Sequence, residues 1–368
     1  PETAPPPAKP ASGGPVDLRP GPAPAIAKNV VIRRTSFGVP HILGENLQAG
    51  AFGLAWVMME DYKEEVPAQL LRANGRWAAS QGPAAVAGDF AGRLAHQYAV
   101  EVFPSFPKDV QDIMTGFAAG VNFFIETHRA ELPDWVSPEF TPEDVAARDL
   151  RVWDEGAVSA FRRSRETGDS PRPPDDTVDP DVGSNAWAFA PERVTTGNAV
   201  LLRNPHLSYG SGYYEAHLTV PGILNFYGDF RLGGPFTIIG GFNDRLGWST
   251  TNNYGDPDQI YAFLKDPMNP DAYLFDGTPE PIRTVTVTVE VKQEDGSMGS
   301  VARDHRFTPL GPVLYETPDT LFVLKTPALG QPRLDEQWLR MMQAEDLEEW
   351  KEAMRIQAKY SSNFTYAD

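Results

Sequence analysis

The segment "DPDVGSNAWAF", residues 179–189, decides how the chain is divided and which class of fold it forms. Its first half is rich in Asp, Pro and Gly, which are typical of turns and loops. Its second half starts at Ser184 and continues with small and aromatic residues, a pattern typical of a buried strand. A polar linker therefore ends at Gly183-Ser184, directly before a predicted strand, and this position is a candidate cleavage point.

The sequence before this boundary predicts a mostly helical region over residues 28–162. Residues 47–66 carry apolar side chains at helical spacing, and Pro67 divides that helix from the next. Residues 107–128 predict a second amphipathic helix with one continuous apolar stripe. The stripe consists of Val110, Ile113, Met114, Phe117, Val121, Phe124 and Ile125.

Two further segments lack any periodic pattern. Residues 1–27 are rich in Pro, Ala and Gly and are typical of a disordered tether. Residues 163–183 are polar and Pro-rich, which predicts a spacer or exposed loop between two folded parts.

After Ser184 the sequence predicts many short strands separated by turn residues, and hence one large sheet or two stacked sheets. The strand-like segments are 185–190, 199–202, 214–220, 236–241, 259–264 and 284–291. Asp346 and Glu349 form a capping-box-like start to one more helix. The sequence stops at residues 363–368, an apparent strand, so we expect the chain to be part of a longer protein.

Composition argues against several classes of function. The formal net charge is −18 without a basic stripe, which argues against a nucleic-acid partner. The absence of cysteine excludes disulfides, thiolate metal sites and a cysteine nucleophile. No apolar run approaches the length of a membrane span.

Familiar catalytic and metal-binding motifs are missing from the sequence. There is no Walker loop, no His-Glu-x-x-His and no Gly-x-Ser-x-Gly. The six histidines, at positions 41, 96, 128, 206, 217 and 305, show no metal-ligand spacing. Ser105 and Lys108 form a Ser-x-x-Lys pair, but the companion motifs of penicillin-binding enzymes are absent, and we expect Ser105 to cap the helix that follows.

A serine released at a new N-terminus supplies both a nucleophile and a base. Its α-amine has a reference pKa of about 7.7–8.0 and can accept the hydroxyl proton near neutral pH. Cleavage can be self-catalysed, because the Ser184 hydroxyl can attack the carbonyl of Gly183 to form an ester that water hydrolyses. A glycine at this position would let the backbone adopt a strained attack geometry.

The motifs around this serine, taken together, resemble the penicillin acylase family of N-terminal nucleophile hydrolases. The Ser-Asn-x-Trp start at residue 184 and the Leu-x-x-Asn-Pro-His segment ending at His206 are close to its acyl-homoserine-lactone and aculeacin acylase branch. Further matching segments follow in the family's order. They are "FGVPHI" (37–42), "WVMMEDY" (56–62), "YYEAHLTVPG" (213–222) and "GFNDRLGWSTTNNYGDPDQIYAF" (241–263).

The resemblance implies an α+β, four-layer αββα fold, cut into an α chain and a β chain that form a heterodimer. Residues 184–368 would be the N-terminal part of the β chain. It implies hydrolysis of a small N-acyl amide into a carboxylic acid and an amine, without a cofactor. Ser184 would be the nucleophile, His206 would help to hold its α-amine, and the backbone N–H of Asn252 would enter the oxyanion hole. The family's second oxyanion donor would lie beyond residue 368.

The resemblance also assigns substrate-binding positions, namely Leu207, Gly240, Trp248 and Thr251. Leu207 and Gly240 stand where several relatives have larger residues, so we expect an enlarged acyl pocket and a medium or long acyl chain. Asp256 matches a calcium-binding carboxylate of one branch, but Gln259 stands where a second acid would be, which weakens such a site.

Two other interpretations remain open at this point. A catalytically silent scaffold or binding homologue, or an unprocessed precursor, would have the same fold without breaking at Gly183-Ser184. An enzyme acting through Ser105 and Lys108 would also need no break. The family is typically exported, so we expect a periplasmic or secreted protein, although no signal peptide opens this sequence.

Overall fold

The computed structural model describes residues 24–136, 139–168, 183–207, 210–253, 258–327, 329–359 and 362–368. The α-helices are α1 (Leu47–Asp61), α2 (Glu65–Ala73), α3 (Ala78–Gln81), α4 (Val86–Val102), α5 (Lys108–Thr127), α6 (Pro142–Ala147), α7 (Glu155–Thr167), α8 (Leu334–Gln343) and α9 (Leu347–Met354).

The strands up to the middle of the chain are β1 (Val30–Arg34), β2 (Pro40–Gly44), β3 (Gly183–Phe189), β4 (Val200–His206), β5 (Tyr213–Val220), β6 (Leu224–Arg231), β7 (Thr237–Phe242) and β8 (Gly247–Asn252). The remaining strands are β9 (Gln259–Asp266), β10 (Asn269–Phe275), β11 (Thr278–Pro281), β12 (Arg283–Lys292), β13 (Met298–Thr308), β14 (Gly311–Glu316), β15 (Thr320–Lys325) and β16 (Ser362–Ala367).

Helices α1 and α5 form the centre of the helical layer. Asn46 starts α1 by accepting a hydrogen bond from the backbone N–H of Ala49 at 2.9 Å. The two helices approach closely at Gly116 and Gly120 of α5, where an added Cβ would lie within 2.4 Å of a backbone oxygen of α1. The whole predicted apolar stripe of α5 is buried, which confirms the amphipathic helix.

The predicted long helix does divide near Pro67, but the break comes earlier. Helix α1 ends at Asp61, and Pro67 lies in the first turn of α2, where its missing N–H leaves no helical hydrogen bond unmade. At the other end of the region, α7 continues to Thr167 and so includes the first five residues of the predicted spacer. Gly168 ends it in the left-handed conformation, with φ of 78°.

The first large sheet has the strand order β1-β2-β5-β6-β7-β8-β16. One of its faces packs against α1 and α8, and α5 packs on these two helices to complete the main hydrophobic core. All described neighbours in this sheet are antiparallel except β2 and β5, which pair in parallel with His41 opposite His217. This sheet therefore joins residues from both sides of the candidate cleavage point.

The second large sheet has the order β11-β10-β9-β15-β14-β13-β12. Its long β12–β13 ribbon packs against α3 and α4 through Val287, Val289 and Val291. Helix α7 packs on β14 and β15, where Val158 contacts Leu314 and Leu324.

Strands β3 and β4 form a separate antiparallel pair, which we call the nucleophile hairpin (Gly183–Phe189 and Val200–His206). It lies against β8 and β16. The prediction that β3 is buried was wrong, because Trp187 and Phe189 remain 43% and 40% exposed. One face of the hairpin meets the first sheet, and the large apolar side chains of the other face are partly exposed, including Leu202 at 51%.

The fold is α+β, as predicted, with a mostly helical region before Ser184 and mostly strands after it. The described residues supply a helical layer, a large sheet and a β-hairpin on the far side of that sheet. The capped helix at Asp346 and the strand at the end of the sequence are also present as α9 and β16. Asp346 accepts a hydrogen bond from the Glu349 backbone N–H at 2.9 Å.

Within the described ranges, no helix combines the length and the apolar character that crossing a membrane requires.

Candidate active site

The Gly183–Ser184 peptide bond lies at the first residues of β3. The Ser184 hydroxyl donates a hydrogen bond to the Gly183 carbonyl oxygen at 2.6 Å, so Oγ is already beside the carbonyl group that it would attack. Ser184 is half-buried. Gly183 does not have a positive φ, and an added Cβ would meet only Nδ1 of His206, at 3.8 Å. The strained glycine geometry that we expected is absent.

The register of the hairpin places Ser184 and His206 at its open end but on opposite faces. Ser184 is directly opposite Pro205, and Gly183 is directly opposite His206. Side chains of directly opposite residues in an antiparallel pair lie on the same face, and the face alternates along the strand. The His206 ring therefore lies beside Gly183, the residue that supplies the carbonyl group of the bond to be cut.

The face that carries Ser184 is turned toward the first sheet. On this face Arg203 makes an ion pair with Asp229 of β6, and the Leu201 side chain lies against Gly247 of β8. Burial lowers the pKa of Arg203, and Glu215 opposes this effect. These contacts fix the hairpin over strands β6 to β8.

Arg203 and Asp229 also line a cavity of about 710 Å³ between the hairpin and the first sheet. Tyr227 stacks on Phe242 there, with ring centroids 5.3 Å apart, and donates a hydrogen bond to Glu215. Burial and this hydrogen bond raise the pKa of Tyr227 to about 12. The lining of this cavity does not include Ser184 or any other predicted site residue.

Strand β8 carries Trp248, Thr251 and Asn252 beside the hairpin. Asn363 of β16 is paired with Thr251, and its amide donates to the Thr251 hydroxyl and to the Asn252 backbone carbonyl, at 3.2 Å each. Asn363 thereby holds the strand end that carries the predicted oxyanion donor. The sequence analysis missed this residue, although an Asn within a strand is unusual enough to be a signal.

Gly240 has a structural explanation that the pocket interpretation did not consider. Its φ is +145°, and an added Cβ would lie 2.1 Å from the backbone oxygen of Trp248. Glycine is therefore required by the backbone where β7 meets β8, regardless of any substrate.

Trp248 lies in the interior of the protein. It is fully buried and stacks on Trp338 of α8, with ring centroids 5.6 Å apart. Trp248 is therefore part of the main core in this structure, and its substrate-binding role stays a prediction. Its size and apolar ring favour this position between the sheet and the helical layer.

Comparison with known proteins now decides the family. A sequence profile of the penicillin amidase family matches residues 29–368. The chain belongs to the penicillin amidase family.

Relatives within the penicillin amidase family have specific names. The acyl-homoserine lactone acylase PvdQ of Pseudomonas fluorescens (strain Pf0-1) is 30% identical over 373 residues, covering 90% of this chain and 48% of that protein. The aculeacin-A acylase of Actinoplanes utahensis is 30% identical over 368 residues, covering 86% of this chain and 45% of that protein. The chain thus spans about half the length of these relatives.

Among solved structures, a thermostable penicillin G acylase from Alcaligenes faecalis is similar to this chain with a TM-score of 0.43. The identity is 22%, and the match covers 50% of this chain and 33% of that one.

The alternative site at Ser105 and Lys108 is not assembled in this penicillin amidase chain. The Ser105 hydroxyl donates to the Val102 carbonyl at 2.6 Å, and Lys108 is exposed and paired with Asp112. The expectation that Ser105 caps α5 was also wrong, because Pro107 holds the N-cap position without a side-chain hydrogen bond.

The remaining predicted positions are only partly described. Leu207 follows the end of β4 and is 40% exposed. Asp256 lies outside the described residues. Gln259, at the start of β9, accepts a hydrogen bond from the Tyr261 hydroxyl at 2.7 Å. Over the described part of the chain, no group of three or more His, Asp or Glu side chains is arranged to hold a metal ion.

Proposed function

We propose that this chain carries the nucleophile of an N-terminal serine acylase, which exposes Ser184 by cutting its own Gly183–Ser184 bond. The observation that carries the proposal is the 2.6 Å hydrogen bond from the Ser184 hydroxyl to the Gly183 carbonyl at the start of β3. Membership of the penicillin amidase family and the names of the relatives support the same chemistry.

The cut proceeds in two steps. Ser184 Oγ attacks the Gly183 carbonyl carbon, the C–N bond breaks, and the acyl group is transferred from nitrogen to oxygen. Water then hydrolyses this ester, which leaves a carboxylate on Gly183 and a free α-amine on Ser184. The His206 ring, placed beside Gly183, would then face the new amine and hold it.

The mature site would act on an N-acyl amide. The Ser184 amine accepts the hydroxyl proton, Oγ attacks the amide carbonyl, and the backbone N–H of Asn252 stabilises the oxyanion. Collapse releases the amine product, and water hydrolyses the acyl-enzyme to the carboxylic acid. Asn363 contributes by fixing the end of β8.

The substrate class that we propose is an amide with a medium or long acyl chain, such as an acyl-homoserine lactone, a penicillin-type amide or a lipopeptide. The two named relatives and Leu207 support this choice, whereas Gly240 no longer does. Comparing hydrolysis of phenylacetyl and longer-chain amides by the complete protein tests it, and a clear phenylacetyl preference would contradict it.

Three further parts of the proposal follow from the same resemblance. They are a heterodimer of the two cut pieces, a periplasmic or secreted location, and activity without a cofactor, with Asp256 in a structural role in preference to a calcium-binding one. Comparing thermal unfolding in calcium and in a chelator tests the last of these, and a higher unfolding temperature in calcium would contradict it.

The deciding experiment measures the intact mass and the N-terminal sequence of the freshly purified complete protein beside Ser184→Ala. A new terminus reading Ser-Asn-Ala-Trp in the wild type and absent from the variant would support self-cleavage. A single uncut but folded chain in both would instead favour a silent homologue or a stalled precursor.

A further inference from the structure

A second cavity, of about 350 Å³, lies among α2, α4, the segment joining α6 to α7, and the end of β6. We call it the arginine cavity. Its charged lining residues are Arg72, Arg148, Arg151, Arg231, Asp154 and Glu155. No predicted site residue lines it, and neither the family nor the proposed reaction assigns it a role.

Arg148 is the deepest of these groups, with only 6% of its side chain exposed. One of its terminal nitrogens donates to the Leu232 carbonyl at 2.6 Å, and the other lies 3.4 Å from Asp149. Its Nε is buried without a hydrogen-bond partner among the described residues. A buried N–H without a partner is unfavourable, so an acceptor that reaches Nε would be stabilising.

In the described part of the chain, the cavity is lined by four arginines but by only two acids, Asp154 and Glu155. Asp149 is shared, because it lies 3.4 Å from Arg148 and 3.5 Å from Arg231. Glu155 is already held by Arg303 through two hydrogen bonds. No ion pair of Arg151 is among the described contacts, and its side chain is exposed.

Two further titratable groups near the arginine cavity, Asp335 and Lys359, do not offset its excess of positive charge. Burial and the neighbouring Asp149 raise the pKa of Asp335 well above its usual range, which favours its neutral form. Lys359 adds another cation, and its pKa is lowered by burial and by Arg151 and Arg231. Cations therefore crowd this region.

The wall of the cavity on the α4 side is made of small residues. They are Gly88, Ala91, Gly92 and Ala95. An added Cβ at Gly88 would meet nothing within 4 Å, so space is open directly above the helix there. The volume is at the small end of the range for ligand pockets, which suits a compact ligand.

We propose that the arginine cavity binds a small oxyanion, a phosphate or a carboxylate, through the guanidinium groups of Arg148, Arg151 and Arg231. Guanidinium groups match both anions in charge and in planar hydrogen-bonding geometry. The anion would supply the negative charge that Asp149 alone does not.

Isothermal titration of the full chain with inorganic phosphate, and separately with succinate, tests this proposal. We expect saturable binding of at least one of the two at constant ionic strength. Arg151→Gln should weaken it about tenfold or more, because a charge-assisted hydrogen bond to the anion is lost. Gly88→Leu should also weaken it, because the added side chain projects from the cavity wall.

Arg33→Gln is the matched control, because Arg33 is also exposed but lies on β1 away from the cavity. Arg151 is chosen instead of the buried Arg148 so that all variants fold, which circular dichroism checks. Phosphate binding without succinate binding would assign a phosphoryl ligand, and the reverse would assign a carboxylate. The absence of saturable binding of either, or equal binding by Arg151→Gln and Arg33→Gln, would overturn the proposal.

Discussion

Gly183 precedes the proposed cut without any conformational requirement for glycine. Its backbone lacks a positive φ, and an added methyl group would make an ordinary contact with His206. Gly183→Ala should therefore fold with a stability change of under about 0.5 kcal/mol and still cut itself, as followed by intact mass over time. An uncut Gly183→Ala protein would show that the cut requires a glycine geometry that the uncut structure does not contain.

Gly240 makes the opposite prediction. Its φ of +145° and the 2.1 Å approach of an added Cβ to the Trp248 oxygen leave no room for a side chain. Gly240→Ala should lose about 2–4 kcal/mol of unfolding free energy in urea, because both backbone strain and a clash are introduced. Gly88→Ala, on an open helix face, is the control and should be neutral or slightly stabilising.

At the scale of single residues, the sequence indicated candidate site residues better than it indicated what each residue contacts. Ser184 and His206 could be singled out because short motifs surround them. The burial of Trp248 and the backbone requirement at Gly240 depend on how β7, β8 and α8 pack, and a local pattern does not contain that information. The same is true of Asn363, which lies 111 residues after Asn252 in the chain but contacts it.

Within the part of the chain that the structure describes, one ion pair joins the nucleophile hairpin to the sheet below it. Arg203 and Asp229 are 24% and 18% exposed, so the loss of one partner leaves the other half-buried and unpaired. Asp229→Asn should cost about 1–3 kcal/mol, seen as faster hydrogen exchange in residues 183–206 and slower self-cleavage. Lys351→Gln, in an exposed pair with Glu348, should change neither. Unchanged exchange in the hairpin would show that other contacts hold it.

Helix α8 begins with a buried acid that makes stability depend on pH. Burial and Asp149 raise the pKa of Asp335, so the unfolded chain releases its proton at lower pH than the folded protein does. Above about pH 4, the unfolded carboxyl pKa, stability therefore falls as pH rises. Asp335→Asn should be more stable than the wild type in urea, by more at pH 8 than at pH 5. An equal difference at both values would contradict a protonated Asp335.

At the scale of elements, the sequence predicted well whether a segment forms a helix or a strand, but predicted its burial and its ends poorly. The stripe of α5 and the strands after Ser184 follow from periodicity, which is a local property. The exposure of β3 could not be predicted, because apolar residues indicate what a strand can bury and not whether another layer covers it. The extension of α7 to Thr167 was missed because its polar surface hides the helical period.

The two pieces of the chain should remain associated after the proposed cut. Two features join residues 24–168 to the residues after Ser184. One is the parallel pair of β2 with β5, and the other is the main core. After a protease site placed within residues 169–182 is cut, both pieces should elute together in size-exclusion chromatography and separate only in denaturant. Separate elution in buffer would contradict this prediction, and the uncut protein is the control.

The parallel pairing of β2 with β5 also sets an order of events during synthesis. His41 leaves the ribosome 176 residues before its partner His217, and nearly every side of α1 is apolar and buried in the finished protein. Until β5 to β8 have emerged, the nascent helices have no sheet against which to bury that surface. A cut at Gly183 during translation would release a helical piece with an exposed apolar surface. Folding before cutting is therefore the order that protects the nascent chain from aggregation.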